Sequence, residues 1–219
     1  MIKAENICKS YDSLQVLDNL CLSVKGGQFC IITGPSGTGK STLLNVLSRL
    51  DQFQSGELFL MGQKINDISP GRLAKLRRKY IGFIFQSYNL ISSKNSIDNV
   101  ALPLKYNKVN IFARKNMAMA ALDRMGLRDK YYNYPHQLSG GQQQRVAVAR
   151  ALVTKPKILF CDEPTGNLDS DSAQLVLEGI LSLRDSGSAI VMITHDKSLL
   201  QYADCAYILQ DGKLKADKQ

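Results

Sequence analysis

Apolar and polar residues alternate along the first 33 positions, as in VLDNLCLSV at 16–24 and, after Gly26 and Gly27, QFCIIT at 28–33. A period of two predicts strands joined by tight turns. FQSGELFLMG at 53–62 predicts a further short strand pair around Gly56. The spacing changes at 40–50, where KSTLLNVLSRL sets Leu43, Leu44, Val46, Leu47 and Leu50 on one helical face. From about 87 to 150 strand-like runs stop, and ALDRMGL and QQQRVAVARALV carry helical spacing instead. Strands return as KILFCD (157–162), AIVMIT (189–194) and AYILQDGKL (206–214), with a helical segment between the first two. Strands alternating with helices predict an α/β fold with a mostly parallel sheet. No repeat or linker-like tract divides the chain. One domain is therefore expected, residues 1–219, with a core from about 1–86 and 151–219 and an inserted helical lobe over about 87–150.

Composition narrows the setting. A 219-residue chain that is 44% hydrophobic can bury a sizeable core, which excludes a disordered chain. Lys and Arg number 28 against 19 Asp and Glu, a net charge of +9 that favours polyanions without choosing among nucleotides, anionic lipids and nucleic acid. Basic residues crowd the region from RLAKLRRKY (72–80) into the lobe, read either as attraction to an anionic leaflet or as a solvated helix face. Cys8, Cys21, Cys30, Cys161 and Cys205 are odd in number, widely spaced and mostly within apolar runs, predicting reduced, buried thiols in a cytoplasmic protein. The start lacks a signal peptide's apolar core, and no apolar run nears the roughly 18 residues of a membrane span. A soluble chain is expected, one that would serve a membrane only through a partner.

Three motifs carry chemistry. GPSGTGKST at 34–42 fits GxxxxGK[ST], with Gly34, Pro35, Ser36, Gly37, Thr38, Gly39, Lys40, Ser41 and Thr42 between an apolar strand and an amphipathic helix. Glycines there let backbone N–H groups wrap phosphates, Lys40 should reach the β and γ phosphates, and Ser41 should hold Mg²⁺. ILFCDEP delivers Asp162 to the end of a buried strand, where it would hold Mg²⁺ through water, while Glu163 could serve as general base. The stretch LSGGQ (138–142) marks a second helix N-terminus, with Ser139 as cap and bare backbone at Gly140 and Gly141. That makes a second potential anion site.

With these motifs in order, joined by Gln86 in FIFQ, NLD at 167–169 and His195 in ITHD, the sequence resembles the ATP-binding cassette (ABC) ATPase family from Tyr11 to about Gly212. The resemblance implies a P-loop NTPase (RecA-like) core with a mostly parallel sheet, an N-terminal antiparallel β subdomain and the inserted α-helical subdomain. It implies ATP and Mg²⁺ as cofactors and a homodimer paired head to tail. Ser139, Gly140, Gly141 and Gln142 of one chain would then close over ATP held by the phosphate loop of the other. In that scheme Tyr11 stacks on adenine, Gln86 senses Mg²⁺ and links to the transport partner, Asp169 lies in the loop between the two sites, and His195 contacts the γ-phosphate and holds Glu163.

PTGNLDS (164–170), GFIFQ and NVALPL (99–104) look like the exporter and mechanotransmission branch that includes MacB-, LolD- and FtsE-type ATPases. The branch implies a separate integral-membrane permease of few spans, cargo such as antimicrobial peptides, macrolides or lipoproteins, and a position at the cytoplasmic face of the inner membrane. FtsE-like members act in cell division instead. SYNLISSKNSIDNV (87–100) departs from the lipoprotein-releasing pattern at Lys94, Asn95, Ser96 and Asp98, which leaves the permease unidentified. The chain ends soon after DGKLKADKQ, so no C-terminal regulatory domain is expected. A non-transport ABC ATPase acting on nucleic acid is the alternative. The short interval from Gly34 to Leu138 and the single set of motifs speak against it, so no nucleic-acid partner is expected.

Overall fold

The structure, a computed structural model, describes residues 1–166 and 168–217; Asn167, the first residue of the NLD motif, lies outside the described residues. Strands β1 (Ile2–Tyr11) and β2 (Leu14–Val24) pair antiparallel, and β1 pairs with β4 (Ser55–Leu60), which turns into β5 (Gln63–Lys64). These four form a sheet of order β2-β1-β4-β5. The second sheet holds β3 (Phe29–Thr33), β6 (Ile81–Ile84), β7 (Ile158–Asp162), β8 (Ala189–Ile193), β9 (Cys205–Gln210) and β10 (Lys213–Ala216), in the order β10-β9-β3-β8-β7-β6. Every pairing in it is parallel except the closing β9–β10 hairpin. The expected α/β class with an N-terminal antiparallel sheet is what the chain forms.

Its central strands are apolar on both faces because both faces are covered. On one side Cys30, Ile32, Phe160, Val191 and Ile193 pack with β1, β2, β4 and helix α1 (Lys40–Leu47). On the other, Phe29, Ile31, Leu159, Ile190 and Met192 pack with α3 (Ser96–Tyr106), α4 (Ile111–Arg124), α5 (Gly140–Leu152) and α6 (Ser170–Asp185). Alternate residues of one strand thus serve two different cores. Helix α2 (Pro70–Tyr80) precedes the edge strand β6. Between β6 and β7 the described chain forms only helices and turns.

Three expectations need correction. Helix α1 stops before Leu50: the Arg49 N–H bonds Val46 O and the Leu50 N–H bonds Asn45 O, with Arg49 at φ 57, so the chain reverses and leaves Leu50 47% exposed. This is a Schellman ending with arginine in the left-handed position that glycine more often takes. Gly56 is not the turn of the strand pair but lies inside β4; the turn falls at Met61 and Gly62, both at positive φ, as a two-residue hairpin demands. Of the five cysteines, all free, only Cys30 and Cys161 are buried, since Cys21 points to the solvent side of β2 and Cys8 and Cys205 are half-buried.

One buried polar residue fixes the path from β6 into the lobe. Asn99, fully buried, accepts from the Ile91 N–H (2.8 Å) and donates to Ile91 O, Lys94 O and Asn95 O. Asn99→Ala should therefore destabilise the fold by about 2–3 kcal/mol through orphaned backbone groups. Urea unfolding measures this, and a loss under about 0.5 kcal/mol, the level of an ordinary surface change, would remove Asn99 as the clamp.

Candidate functional site

The C-terminal ends of β3, β8, β7 and β6 lie side by side, and the residue types singled out in the sequence follow those ends. Such an edge is where open α/β sheets bind ligands. After β3 the loop Gly34–Gly39 leads into α1, whose first residue is Lys40. Pro35, Ser36 and Gly37 are exposed, and the Thr38 hydroxyl donates to Pro35 O (2.9 Å), folding the loop on itself. Gly39 sits at φ 92, and a Cβ there would lie 2.4 Å from Val16 Cγ1, so only glycine lets the loop pass beneath β2. Lys40 is 7% exposed and donates through Nζ to Gly34 O (2.8 Å) and Pro35 O (2.7 Å). Burial draws its pKa down, while Glu163 and Asp162 oppose that shift. The ammonium therefore lies in the field of both carboxylates. Ser41 and Thr42 carry their hydroxyls in the first turn of α1, where the helix N-terminus favours anions.

Asp162 ends β7 opposite Ile193 of β8, and the Glu163 N–H extends the ladder by one bond to Ile193 O (3.0 Å). Glu163 then adopts φ 46, a left-handed conformation that costs a non-glycine residue of order 1 kcal/mol or more. This turn aims its carboxylate between two neighbours. Gln86, just beyond β6, donates through Nε2 to Glu163 Oε2 (3.3 Å), and His195 Nε2 lies 3.0 Å from Glu163 Oε1. His195 is itself held from both sides in sequence: Thr194 is buried with its Oγ1 accepting from the Asp196 N–H (3.0 Å), and Asp196 Oδ1 caps the Ser198 N–H (2.9 Å). Lys40, Asp162, Glu163, Gln86 and His195 thus converge from four strand ends.

Tyr11, at the end of β1, is 45% exposed; its hydroxyl bonds Asp51 and faces the Thr42 hydroxyl. Lys9 Nζ lies 4.3 Å from its ring centroid and 3.0 Å from Asp51 Oδ1, so one face of the ring is partly taken by a cation. Asp51 raises the Tyr11 phenol pKa by accepting a hydrogen bond that only the protonated hydroxyl can donate. Burial would raise the Asp51 carboxyl, but the bonds from Tyr11 and Lys9 outweigh it and hold the carboxyl below its usual range.

Ser139, Gly140, Gly141 and Gln142 stand apart from this cluster. Ser139 Oγ accepts from the Gln142 N–H (3.3 Å) and Gln142 Oε1 accepts from the Ser139 N–H (3.0 Å), a capping box at the start of α5. A Cβ on Gly140 would meet the Tyr88 hydroxyl at 3.2 Å. Among the described residues none of these contacts reaches the phosphate-type loop. Asp169 uses both carboxylate oxygens to cap α6, accepting from the Ser172 N–H and hydroxyl, bonds that keep its pKa low.

Three supporting residues have no local signal in the sequence. Asp51 meets Tyr11 from 40 residues away. Gln144, buried in α5, donates to Pro164 O (3.0 Å) and ties that helix to the turn after Glu163. Arg150 donates to the carbonyls of Tyr88 and Asn89, two consecutive residues at positive φ just after Gln86.

The donor set fits a nucleotide triphosphate with a hard cation. The loop supplies helix-start N–H groups and an ammonium that now satisfies itself on two carbonyls, and Ser41 and Asp162 supply the oxygen ligands Mg²⁺ prefers.

Comparison with known proteins follows the same line. The ABC transporter family profile matches residues 17–166. An uncharacterized ABC transporter ATP-binding protein of Methanocaldococcus jannaschii is 44% identical over 98% of this chain and 97% of its own length. The macrolide export ATP-binding/permease protein MacB of Vibrio parahaemolyticus is 41% identical over 99% of this chain, which spans only 34% of that protein. Among solved structures, the ATP-binding cassette MJ0796, a dimer in a post-hydrolysis state bound to ADP and Pi, superposes with a TM-score of 0.95 at 37% identity, covering 100% of this chain and 98% of that one.

Gly39→Ala should lower stability by about 1–3 kcal/mol, from strain at φ 92 and the clash with Val16. Adding Val16→Ala should restore part of that loss in urea unfolding. A Gly39→Ala protein as stable as the parent would show that the loop has another path past β2.

Proposed function

The chain belongs to the ABC transporter family, and from its site we propose that it is the ATP-hydrolysing subunit that drives a separate membrane permease of the exporter or mechanotransmission type. The observation that carries the catalytic part is the seating of Glu163: Gln86 and His195 address its two oxygens at 3.3 and 3.0 Å, beside Lys40 and Asp162. A carboxylate oriented from both sides is placed to accept a proton from water.

In this reading Lys40 exchanges the carbonyls of Gly34 and Pro35 for the β and γ phosphates, and the Gly34–Gly39 backbone wraps the chain of phosphates. Ser41 and Asp162 would hold Mg²⁺, with the Gln86 amide oxygen adjoining; the ion would supply charge neutralisation at the phosphate oxygens. Water attacks the γ-phosphorus in line, the bond to the β–γ bridging oxygen breaks, and the proton passes to Glu163. His195 keeps the carboxylate aimed. Tyr11 offers its ring to the adenine, and Asp51 and Lys9 set the angle of that ring.

The second anion site completes the reading. The capping box engages Ser139 and Gln142 with each other, while the N–H groups of Gly140 and Gly141 have no partner among the described residues, as is usual in a first helical turn. A γ-phosphate presented by a second copy would fill that helix start, so the active form is a head-to-tail homodimer sharing two ATP. The dimeric state of MJ0796 supports this arrangement. For the permease, an open groove of about 690 Å³ lies beside the Gln86 segment, lined by Phe83, Phe85, Leu102 and Pro103 with Arg78 at its rim. An apolar cytoplasmic helix of the membrane subunit fits it, and the fused ATP-binding/permease make-up of MacB supports such a partnership. Among the described residues no helix is long and apolar enough to cross a membrane. The chain is placed at the cytoplasmic face of the inner membrane by its partner.

Glu163→Gln should bind ATP yet hydrolyse it at least about a hundredfold more slowly, and should accumulate a dimer on gel filtration with ATP and Mg²⁺. Adding Ser139→Arg should abolish that dimer without weakening ATP binding. Turnover at the parent rate in Glu163→Gln would remove Glu163 as the base, and a dimer that survives Ser139→Arg would remove the shared site.

A further inference from the structure

The net charge of +9 is not spread over the molecule. Residues 70–115 contain ten Lys or Arg and a single acidic residue, Asp98, which leaves 18 Lys or Arg against 18 Asp or Glu in the rest of the chain. The whole excess therefore falls on α2, β6, α3 and the start of α4. None of the hydrolytic residues needs it.

The fold gathers much of this charge around an apolar tip. The α3–α4 hairpin ends in Tyr106, Ile111 and Phe112, exposed by 59%, 60% and 79%. They do not sit on a loose loop. The turn is closed by bonds from the Asn107, Lys108 and Val109 N–H groups back to Pro103, Lys105 and Leu104, and Asn110 caps α4 by accepting from the Phe112 N–H (2.9 Å). Asn107 donates to Arg78 O at 3.5 Å, bringing the basic end of α2 alongside. Arg78, Lys105, Lys108 and Lys115 are all exposed, and among the described residues none of them has a carboxylate partner.

We propose that this tip is a membrane-contact site: Tyr106, Ile111 and Phe112 enter the interfacial layer of an anionic bilayer, while Arg78, Lys105, Lys108 and Lys115 pair with lipid phosphates. Rigid apolar side chains ringed by cations that have no carboxylate partner among the described residues match the two layers of such a surface, hydrocarbon inside and anionic headgroups outside. The long basic side chains can bury their stems and keep their charges at headgroup level. A second copy of this face is the wrong occupant, because it would set cation against cation. Nucleic acid is a poorer match, since Ile111 has no ring to stack on a base. The inference adds direct lipid contact to the attachment through a permease, and Tyr106, which also lines the groove beside Gln86, puts both contacts on one side of the molecule. It does not depend on ATP chemistry.

The chain has no tryptophan, so Phe112→Trp provides a single optical reporter. Purified protein is mixed with phosphatidylglycerol–phosphatidylcholine vesicles that contain no membrane protein. The emission should shift to shorter wavelength, the protein should co-sediment, and both effects should weaken with pure phosphatidylcholine or with added salt. Ile111→Ser with Phe112→Asp should reduce vesicle affinity at least about tenfold, the scale of losing two interfacial apolar side chains, while ATP binding, measured in parallel as a check of folding, stays at the parent value. Parent-level vesicle binding by that double variant would overturn the proposal. So would a tryptophan shift that arises on concentration without vesicles, which marks a contact between copies, or displacement of the vesicles by an oligonucleotide at equal phosphate. Loss of ATP hydrolysis in Glu163→Gln with vesicle binding intact supports the independence of the two sites.

Discussion

In a parallel sheet every strand ends at the same edge, and this constraint governs the rest of the molecule. With β3, β8, β7 and β6 adjacent, the residues that follow each strand have no other place to go than the space above that edge. Lys40, His195, Glu163 and Gln86 come from positions as far apart as 40 and 195, yet no long side-chain reach is needed to unite them. The register does it: Asp162 stands opposite Ile193, so Glu163 and His195 leave their strands at nearly the same height. Apolar residues on both faces make that register costly to change, because a slip by one would exchange the contents of two cores.

The helical segment is tied to this edge by hydrogen bonds more than by apolar contact at the site itself. Gln144 holds the turn after Glu163, Arg150 holds the turn after Gln86, and Asn99 fixes the path from there into α3. Helix α5 therefore carries Gly140 and Gly141 at one end and, further along, side chains that grip the loops after Glu163 and Gln86. A displacement of α5 must be felt at Gln86 and Glu163 together. Such coupling would let an event at the groove lined by Phe83, Phe85 and Arg150 and one at the loop before α1 act on each other.

What could be read from the sequence was whatever is local. GPSGTGKST contains its own loop, lysine and helix start; ILFCDEP contains its own strand and carboxylates; Ser139 and Gln142 form a capping box within four residues. Period-two alternation and the return of strands after residue 150 were enough for the α/β class. Illegible were the features decided by tertiary contact or by an unusual backbone choice. Nothing near Asp51 announces Tyr11 or Lys9. The apolar spacing of α1 runs on to Leu50, but Arg49 takes a left-handed conformation that only the assembled fold stabilises. Gly56 reads as a turn, yet Met61 and Gly62 make it. The basic segment was legible as composition, whereas the gathering of Arg78, Lys105, Lys108 and Lys115 near an exposed apolar tip needed the fold.

Glu163 is held at φ 46, where glycine or asparagine would rest more easily. Selection for fold stability alone would drift toward those residues and discard the carboxylate. Under the role proposed for Glu163, the backbone's preference and the chemistry pull in opposite directions at this one position. A redesign that relieved this strain with glycine or asparagine would remove the carboxylate on which the proposed hydrolysis rests, so a stabilising redesign consistent with that reading leaves Glu163 in place.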